Sequence, residues 1–259
     1  MTRKILSRLH YFFLSMLGLL TMLFIWAVLS YGNIVERFFL PTPTDVLFTI
    51  IDLLKSGVLL RDIGISFLRI FLSMVLSFVI AFPCGIALGT SRLFEAIAEP
   101  VIAFIRYIPP SAFIPLVIIW FGIGEIEKII ILFLGIAPYL TLLIADMAAN
   151  TRAELCDVAL TLGASKYQII RRIVIPSAMP GIWDALRIMS GAAWTYVIIA
   201  EIVGASSGLG HLIIESQRFL RTDTIYASII MIGLLGLTTD YFFKLTYQLF
   251  FPWTEKSHA

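Results

Sequence analysis

Four ionisable side chains lie in or beside long oily stretches of this sequence: Arg69, Arg106, Glu201 and Asp240. A charge in hydrocarbon costs at least about 2.5 kcal/mol and normally faces a cavity or a partner. The two arginines have the chemistry to hold an anion, because a guanidinium donates charge-assisted hydrogen bonds in a planar fork. Both also stand near the ends of apolar runs, where a long side chain ordinarily snorkels its head to the interface, and the sequence leaves the two readings open. Glu201 lies deeper, suited to pairing with a basic residue or stabilising the glycine-rich turn after it, and Asp240 suits the same kind of pairing. The densest charge lies elsewhere, in "TLGASKYQIIRRIVIPSAMPG" (161–181), where Lys166, Arg171 and Arg172 precede Pro176.

Other chemistries are missing. No G-x-x-x-x-G-K-[ST] occurs, so the chain lacks the loop that cradles nucleotide phosphates and is expected to bind no cofactor. No H-E-x-x-H or other metal-ligand cluster is present; His10, His211 and His258 are scattered. "GASSGLG", Gly204 to Gly210, has the glycine spacing of a dinucleotide-binding turn. That turn needs a preceding strand and about 30 residues of βαβ context, whereas "WTYVIIAE" ends an apolar run here, so a glycine-rich connection between two spans is the better reading. Cys84 and Cys156 lie in different surroundings, which argues against a disulfide framework.

The elements that must position these groups follow from composition. Of 259 residues, 59% are hydrophobic and 14% charged, with a mean hydropathy of +0.96, against about 25% charged in soluble domains. This is the composition of a membrane protein. Backbone polar groups in lipid are satisfied only within helices or closed barrels, and long unalternating apolar runs exclude the barrel. The expected fold is all-α, a single transmembrane domain over 1–259 with six spans near 12–30, 62–89, 97–121, 126–147, 181–204 and 225–247. The fifth is the least regular, because Asp184, Arg187 and Glu201 interrupt it. The first, preceded by Arg3, Lys4 and Arg8, reads as a retained span rather than a cleaved leader.

Lys and Arg are retained on the cytoplasmic side. The loop 148–180, with Arg152, Lys166, Arg171 and Arg172, is therefore expected inside, as are both termini; the outer segment 31–61 carries a balanced set of charges. Within that segment, "LPTPTDVLFTIIDLL" reads as a helix capped by Thr44, either interfacial or packed on the spans. Pro83 beside Gly85 and Gly89, and Pro109, Pro110 and Pro115 in the third span, are expected to kink or break their helices. Irregular backbone survives in a membrane only where protein or a cavity covers it, so the third span is the candidate to line a pathway.

The loop itself reads as two short helices. "ANTRAELCDVALTL" has good helix formers and ends at Gly163; Ser165 with Gln168 makes an S-x-x-Q capping box that opens a second helix, which Pro176 is expected to interrupt.

In this stretch, "DVALTLGASKYQIIRRIVIP" resembles the EAA loop of ABC importer permease subunits, E-A-A-x3-G-x9-I-x-L-P. Asp157, Val158 and Ala159 stand in the E-A-A places, and Gly163, Ile173 and Pro176 match in register, with Ile175 replacing Leu. "IPLVIIWFGIGEIEKI", "AEIVGASSGLGHLI" and "TDTIYASIIMIGLLGL" extend the likeness, from about residue 40 onward, to the permeases for nitrate, taurine, other sulfonates and bicarbonate. The resemblance implies a type I importer fold in a bacterial inner membrane. It implies a second permease chain, read as a homodimer, two separate ATPase chains carrying ATP and Mg, and an external solute-binding protein; no nucleic-acid partner is expected. It assigns Asp157, Ala159, Gly163, Ala164, Ser165, Ile173 and Pro176 to coupling with the ATPase. Arg69, Arg106, Pro109, Pro110 and Glu201 are the candidates for the substrate pathway. The competing expectation is an ATP-independent carrier or channel, in which inverted repeats or ion-coupling carboxylates should be more evident.

Overall fold

The computed structural model describes residues 8–253, and every regular element among them is helical. In chain order they are α1 (Arg8–Tyr31), α2 (Pro43–Lys55), α3 (Val58–Thr90), α4 (Arg92–Tyr107), a 3-10 turn (Pro110–Phe113), α5 (Ile114–Phe121) and α6 (Glu125–Ala149). There follow α7 (Ala153–Thr161), α8 (Lys166–Ile169), a π-helical turn (Ile170–Val174), α9 (Ile175–Ile202), α10 (Leu209–Arg218) and α11 (Thr222–Phe250). The all-α expectation is met.

Four helical runs are long and apolar enough to cross a membrane: α3, α6, the continuous stretch Lys166–Ile202, and α11. A fifth arises if the bent pair Arg92–Tyr107 and Pro110–Phe121 is one span. The first expected span falls on α1, whose apolar part, Met16–Tyr31, is shorter than the others. The tail residues 1–7 and 254–259, which bear on the expected cytoplasmic termini, lie outside the described residues.

Contacts divide the chain into two compact units, one of residues 1–60 with 212–230, the other of 61–211 with 231–259. In the first, Trp26 Nε1 on α1 donates to the Pro41 carbonyl at 3.0 Å, and its ring stacks on Tyr226 with centroids 6.2 Å apart. Thr49 Oγ1 on α2 donates to Asp223 Oδ2 at 2.9 Å. The cap of α2 is Thr42, not the expected Thr44. Pro43 takes the first helical position, where its missing N–H costs nothing, and Asp45 completes a capping box with Thr42.

In the second unit, α6 and α9 form the core. Buried Ala178, Ile182, Ala185, Met189, Ala193, Val197 and Ala200 recur every three or four residues along α9. Small residues at that spacing let spanning helices approach closely. Gly85 and Gly89 do the same for α3 against α6. A Cβ on Gly85 would stand 2.6 Å from Ile144 Cβ, and one on Gly89 would stand 2.5 Å from the Ala145 carbonyl oxygen. At "FPCGIALG" the helix is not broken: α3 runs through Pro83 from Val58 to Thr90. A single proline removes one hydrogen bond, and the helix continues around it.

Two consecutive prolines do more. Pro109 confines Ile108 to the extended region (φ −81°, ψ 121°), and Pro109 is itself extended before Pro110 (φ −57°, ψ 134°), so α4 ends there. The chain resumes at a bend of 90°. The run expected as the third span is therefore broken at its prolines, as the sequence suggested.

Candidate functional site

The basic loop folds into a bracket. Helix α7 ends in two hydrogen bonds, Ala164 N–H to the Ala159 carbonyl and Gly163 N–H to the Leu160 carbonyl, each 2.9 Å. This is the Schellman closure, which requires a left-handed residue, and Gly163 supplies it at φ +81°. The next helix opens at once: Ser165 Oγ accepts from Gln168 N–H at 3.3 Å, and Gln168 Oε1 accepts from Ser165 N–H at 2.8 Å, forming the expected capping box.

From Lys166 the helix does not stop at Pro176, contrary to expectation, but continues to Ile202. The turn before the proline is widened to π geometry, with Ile175 N–H bonded to the Ile170 carbonyl. Proline lacks a donor and its ring would strike the carbonyl four residues back; the wider turn displaces that carbonyl and the helix survives. The corner is thus joined to α9 by unbroken helix.

Nothing on α7 is buried. Leu155, Val158, Leu160, Leu162 and Tyr167 are exposed around the corner, Leu162 by 82%. Asp157, Gly163, Ser165 and Pro176 are exposed, Ala159, Ala164 and Ile173 half-buried, while Ile169 and Val174 anchor the bracket inward.

Arg69 and Glu201 come together in the second unit, and Arg106 lies apart from them. Arg69 is 2% exposed and does not snorkel. Its Nη1 donates to Glu201 Oε1 at 2.7 Å and to the Ser207 carbonyl at 2.8 Å. Its Nε and Nη2 grip both oxygens of Glu125 at 2.7 and 2.6 Å. Glu201, 1% exposed, also accepts from Ser66 Oγ and from Gly210 N–H, each at 2.7 Å.

The turn 203–208 closes over this network. Asp62 Oδ1 accepts from Gly208 N–H at 3.0 Å, and Ser66 Oγ accepts from Leu209 N–H at 2.9 Å. Gly208 sits at φ +114°, and a Cβ there would fall 2.5 Å from the Glu201 carboxyl carbon. The glycines that imitate a nucleotide turn are thus needed to approach a buried carboxylate. Glu201 stabilises the turn as the sequence suggested, while Glu125, Asp62, Ser66 and Ser207 were missed. Only the position of Glu125 in "GIGEIEK", a charged break between apolar runs, was visible beforehand. Asp240 pairs with Lys244 Nζ at 2.5 Å and Arg187 Nε at 3.5 Å.

Arg106 ends α4 with its guanidinium 5.0 Å from the ring centre of Tyr107 and 5.4 Å from that of Tyr139. It lines a cavity of about 230 Å³ with Tyr107, Pro109, Pro110, Tyr139 and Tyr196. The pathway candidates therefore separate into a buried ion network (Arg69, Glu201) and a tyrosine-walled cavity at the helix break (Arg106, Pro109, Pro110).

Residues 78–256 match the family described as binding-protein-dependent transport system inner membrane component. The taurine transport system permease protein TauC of Escherichia coli (strain K12) is 30% identical over 246 residues, covering 93% of this chain and 89% of the relative. A Bacillus subtilis (strain 168) protein named as an aliphatic sulfonates transport permease, SsuC, is 32% identical over 229 residues, covering 88% and 83%. Among solved structures, a chain of the MetNI methionine ABC transporter, inward facing, superposes with a TM-score of 0.69 at 21% identity, over 75% of this chain and 97% of that one. That likeness establishes the shared fold.

Proposed function

This chain belongs to the binding-protein-dependent transport system inner membrane component family, the permease subunits of ABC transporters, and from that membership we propose that it is the translocating subunit of an ATP-driven importer of a small anion. Membership implies ATPase and binding-protein partners. In the proposed assembly two copies of the chain, each with six spans and both termini in the cytoplasm, form a type I importer in a bacterial inner membrane. Two ATPase chains hold ATP and Mg below it, and a solute-binding protein delivers substrate from outside. The names of the sulfonate and taurine relatives favour a sulfonate, with nitrate and bicarbonate in the same chemical class.

The observation that carries the coupling role is the bracket: an exposed helix with apolar residues outward, a glycine corner, and unbroken helix from Lys166 to Ile202. An ATPase groove gripping α7 would move α9 with it. In this reading Asp157, Ala159, Gly163, Ala164 and Ser165 form the contact, and Ile173 and Pro176 set its angle to α9. Arg106, Pro109 and Pro110 line the pathway, and Arg69 and Glu201 hold its wall together by tying α3 to α9.

Gly163→Trp tests the coupling role. A Cβ at Gly163 meets nothing within 4 Å, so the spans keep their packing, while bulk and the strained φ +81° spoil the corner. In vesicles reconstituted with the ATPase and binding protein, the variant is expected to insert normally but to lose ATP-driven uptake. Wild-type coupling in the variant would sink the proposal. A carrier or channel would instead transport without any ATPase bound.

A further inference from the structure

Arg69 and Arg106, both in the second unit, differ in how their charge is met. Arg69 has two carboxylates and a carbonyl. Arg106 has none of these among the described residues: its Nη2 donates to the Tyr107 hydroxyl at 3.2 Å, its plane lies by two tyrosine rings, and its buried Nε makes no hydrogen bond. The C-terminal end of α4 offers a partial charge of about −0.5, roughly half of a counter-charge. Cation–π contact with the two rings adds attraction but no formal charge. Arg106 is half-buried at the helix break, and none of these contacts supplies a full counter-charge to the side of it that faces the cavity.

The space beside it is built rather than incidental. The cavity of about 230 Å³ is lined by Arg106, Tyr107, Pro109, Pro110, Tyr139 and Tyr196, among others. Its floor is Gly135, where a Cβ would lie 2.9 Å from both Pro110 Cγ and Tyr196 Cδ2, so any larger residue pushes the walls apart. No carboxylate lines it. The volume equals about eight waters at about 30 Å³ each and is smaller than the roughly 300–1,000 Å³ of drug-sized sites, which suits a small solute.

We propose that this cavity is an oxyanion subsite in the translocation pathway, with Arg106 as the charged group and Tyr107, Tyr139 and Tyr196 as walls, taking a soluble solute with a sulfonate-, nitrate- or carbonate-like head. The proposal rests on the importer reading and makes it specific. The planar fork recognises the oxyanion, and the aromatic faces accept a short apolar stem. The broken third span carries the site on its bend.

Equilibrium binding tests it on the full chain in phosphatidylcholine nanodiscs with radiolabelled ethanesulfonate. Wild type is expected to bind saturably, with displacement by nitrate and none by neutral ethanesulfonamide. Arg106→Gln should weaken binding about tenfold or more, the equivalent of one charge-assisted hydrogen bond, and Arg106→Lys should be intermediate. Gly135→Ala, which leaves the charge in place, should weaken it too. Absence of saturable binding to wild type, or unchanged binding by Arg106→Gln, overturns the subsite. Should Arg106→Gln fail to fold, unchanged binding by Arg106→Lys together with Gly135→Ala overturns it equally.

A second arm adds phosphatidylglycerol. Arg106-dependent retention of that lipid with loss of ethanesulfonate binding would assign the site to a headgroup and overturn the proposal. ATP-driven uptake separates the two readings. Wild-type uptake by Arg106→Gln removes the subsite and leaves the importer standing, whereas failure of wild type to couple to any ATPase removes the importer reading.

Discussion

At the scale of single residues, burial decides what each charge does. Glu201 is desolvated, and removing it leaves Arg69 only its Glu125 carboxylate and unpairs the buried Ser66 hydroxyl and Gly210 N–H, at about 1–3 kcal/mol for each buried group left unsatisfied. Glu201→Ala is therefore expected to lower the melting temperature in detergent sharply. Glu125→Ala should do less, since Glu125 is 62% exposed and exposed pairs contribute about 0–1 kcal/mol. Equal melting of the two variants would contradict this ranking. Asp45 gives the pH counterpart. Hydrogen bonds from Thr42, side chain first and backbone second, hold its carboxyl below the usual range. The folded value is depressed, so the contribution to stability is present above the unfolded value and is lost as pH falls through the folded one. Thr42→Ala should cost about 1 kcal/mol, with part of that difference disappearing in acid, as read by hydrogen exchange in α2.

At the scale of elements, glycine and proline took their meaning from what lies opposite. Gly85→Ala drives a Cβ into Ile144 and the Thr141 carbonyl and should destabilise by about 1–3 kcal/mol. Gly64→Ala, on the same helix with nothing within 4 Å, should be neutral or stabilising by up to about 1 kcal/mol. Thermal melts of the two variants, side by side, separate close approach from helix propensity. Pro176→Ala restores a backbone donor and allows the π-turn Ile170–Val174 to tighten. Such a change would turn the bracket about 100° relative to α9. Uptake per ATP hydrolysed is expected to fall while insertion stays normal; unchanged coupling would mean the π-turn does not set the bracket angle.

At the scale of the whole molecule, the prediction concerns sidedness. Cys156, on α7, and Cys84, in α3, are both unpaired thiols. With the bracket in the cytoplasm, a membrane-impermeant maleimide is expected to label Cys156 in inverted vesicles and not in right-side-out ones, with a Cys84→Ser background giving the same pattern. Labelling from the outer face would reverse the proposed orientation.

Much was legible from the residues alone, because the physics involved is local or averaged over many residues. Hydropathy over about 20 positions identifies a membrane chain of helices. The Gly163 corner and the Ser165–Gln168 box are closed by hydrogen bonds between residues at most five apart, so their spacing suffices. The adjacent prolines at 109 and 110 end any helix that runs into them. Whether Arg69 reaches an anion or a carboxylate depends on partners 56 and 132 residues away, and no spacing rule carries that. The same holds for Gly208, needed because a carboxylate lies above it, for Gly85 and Gly89, needed because α6 lies against them, and for Arg106, left beside a cavity without a carboxylate. Chain-local chemistry determined the helices and their corners; only the packing of one helix on another decided which charges were neutralised and which was left facing open space.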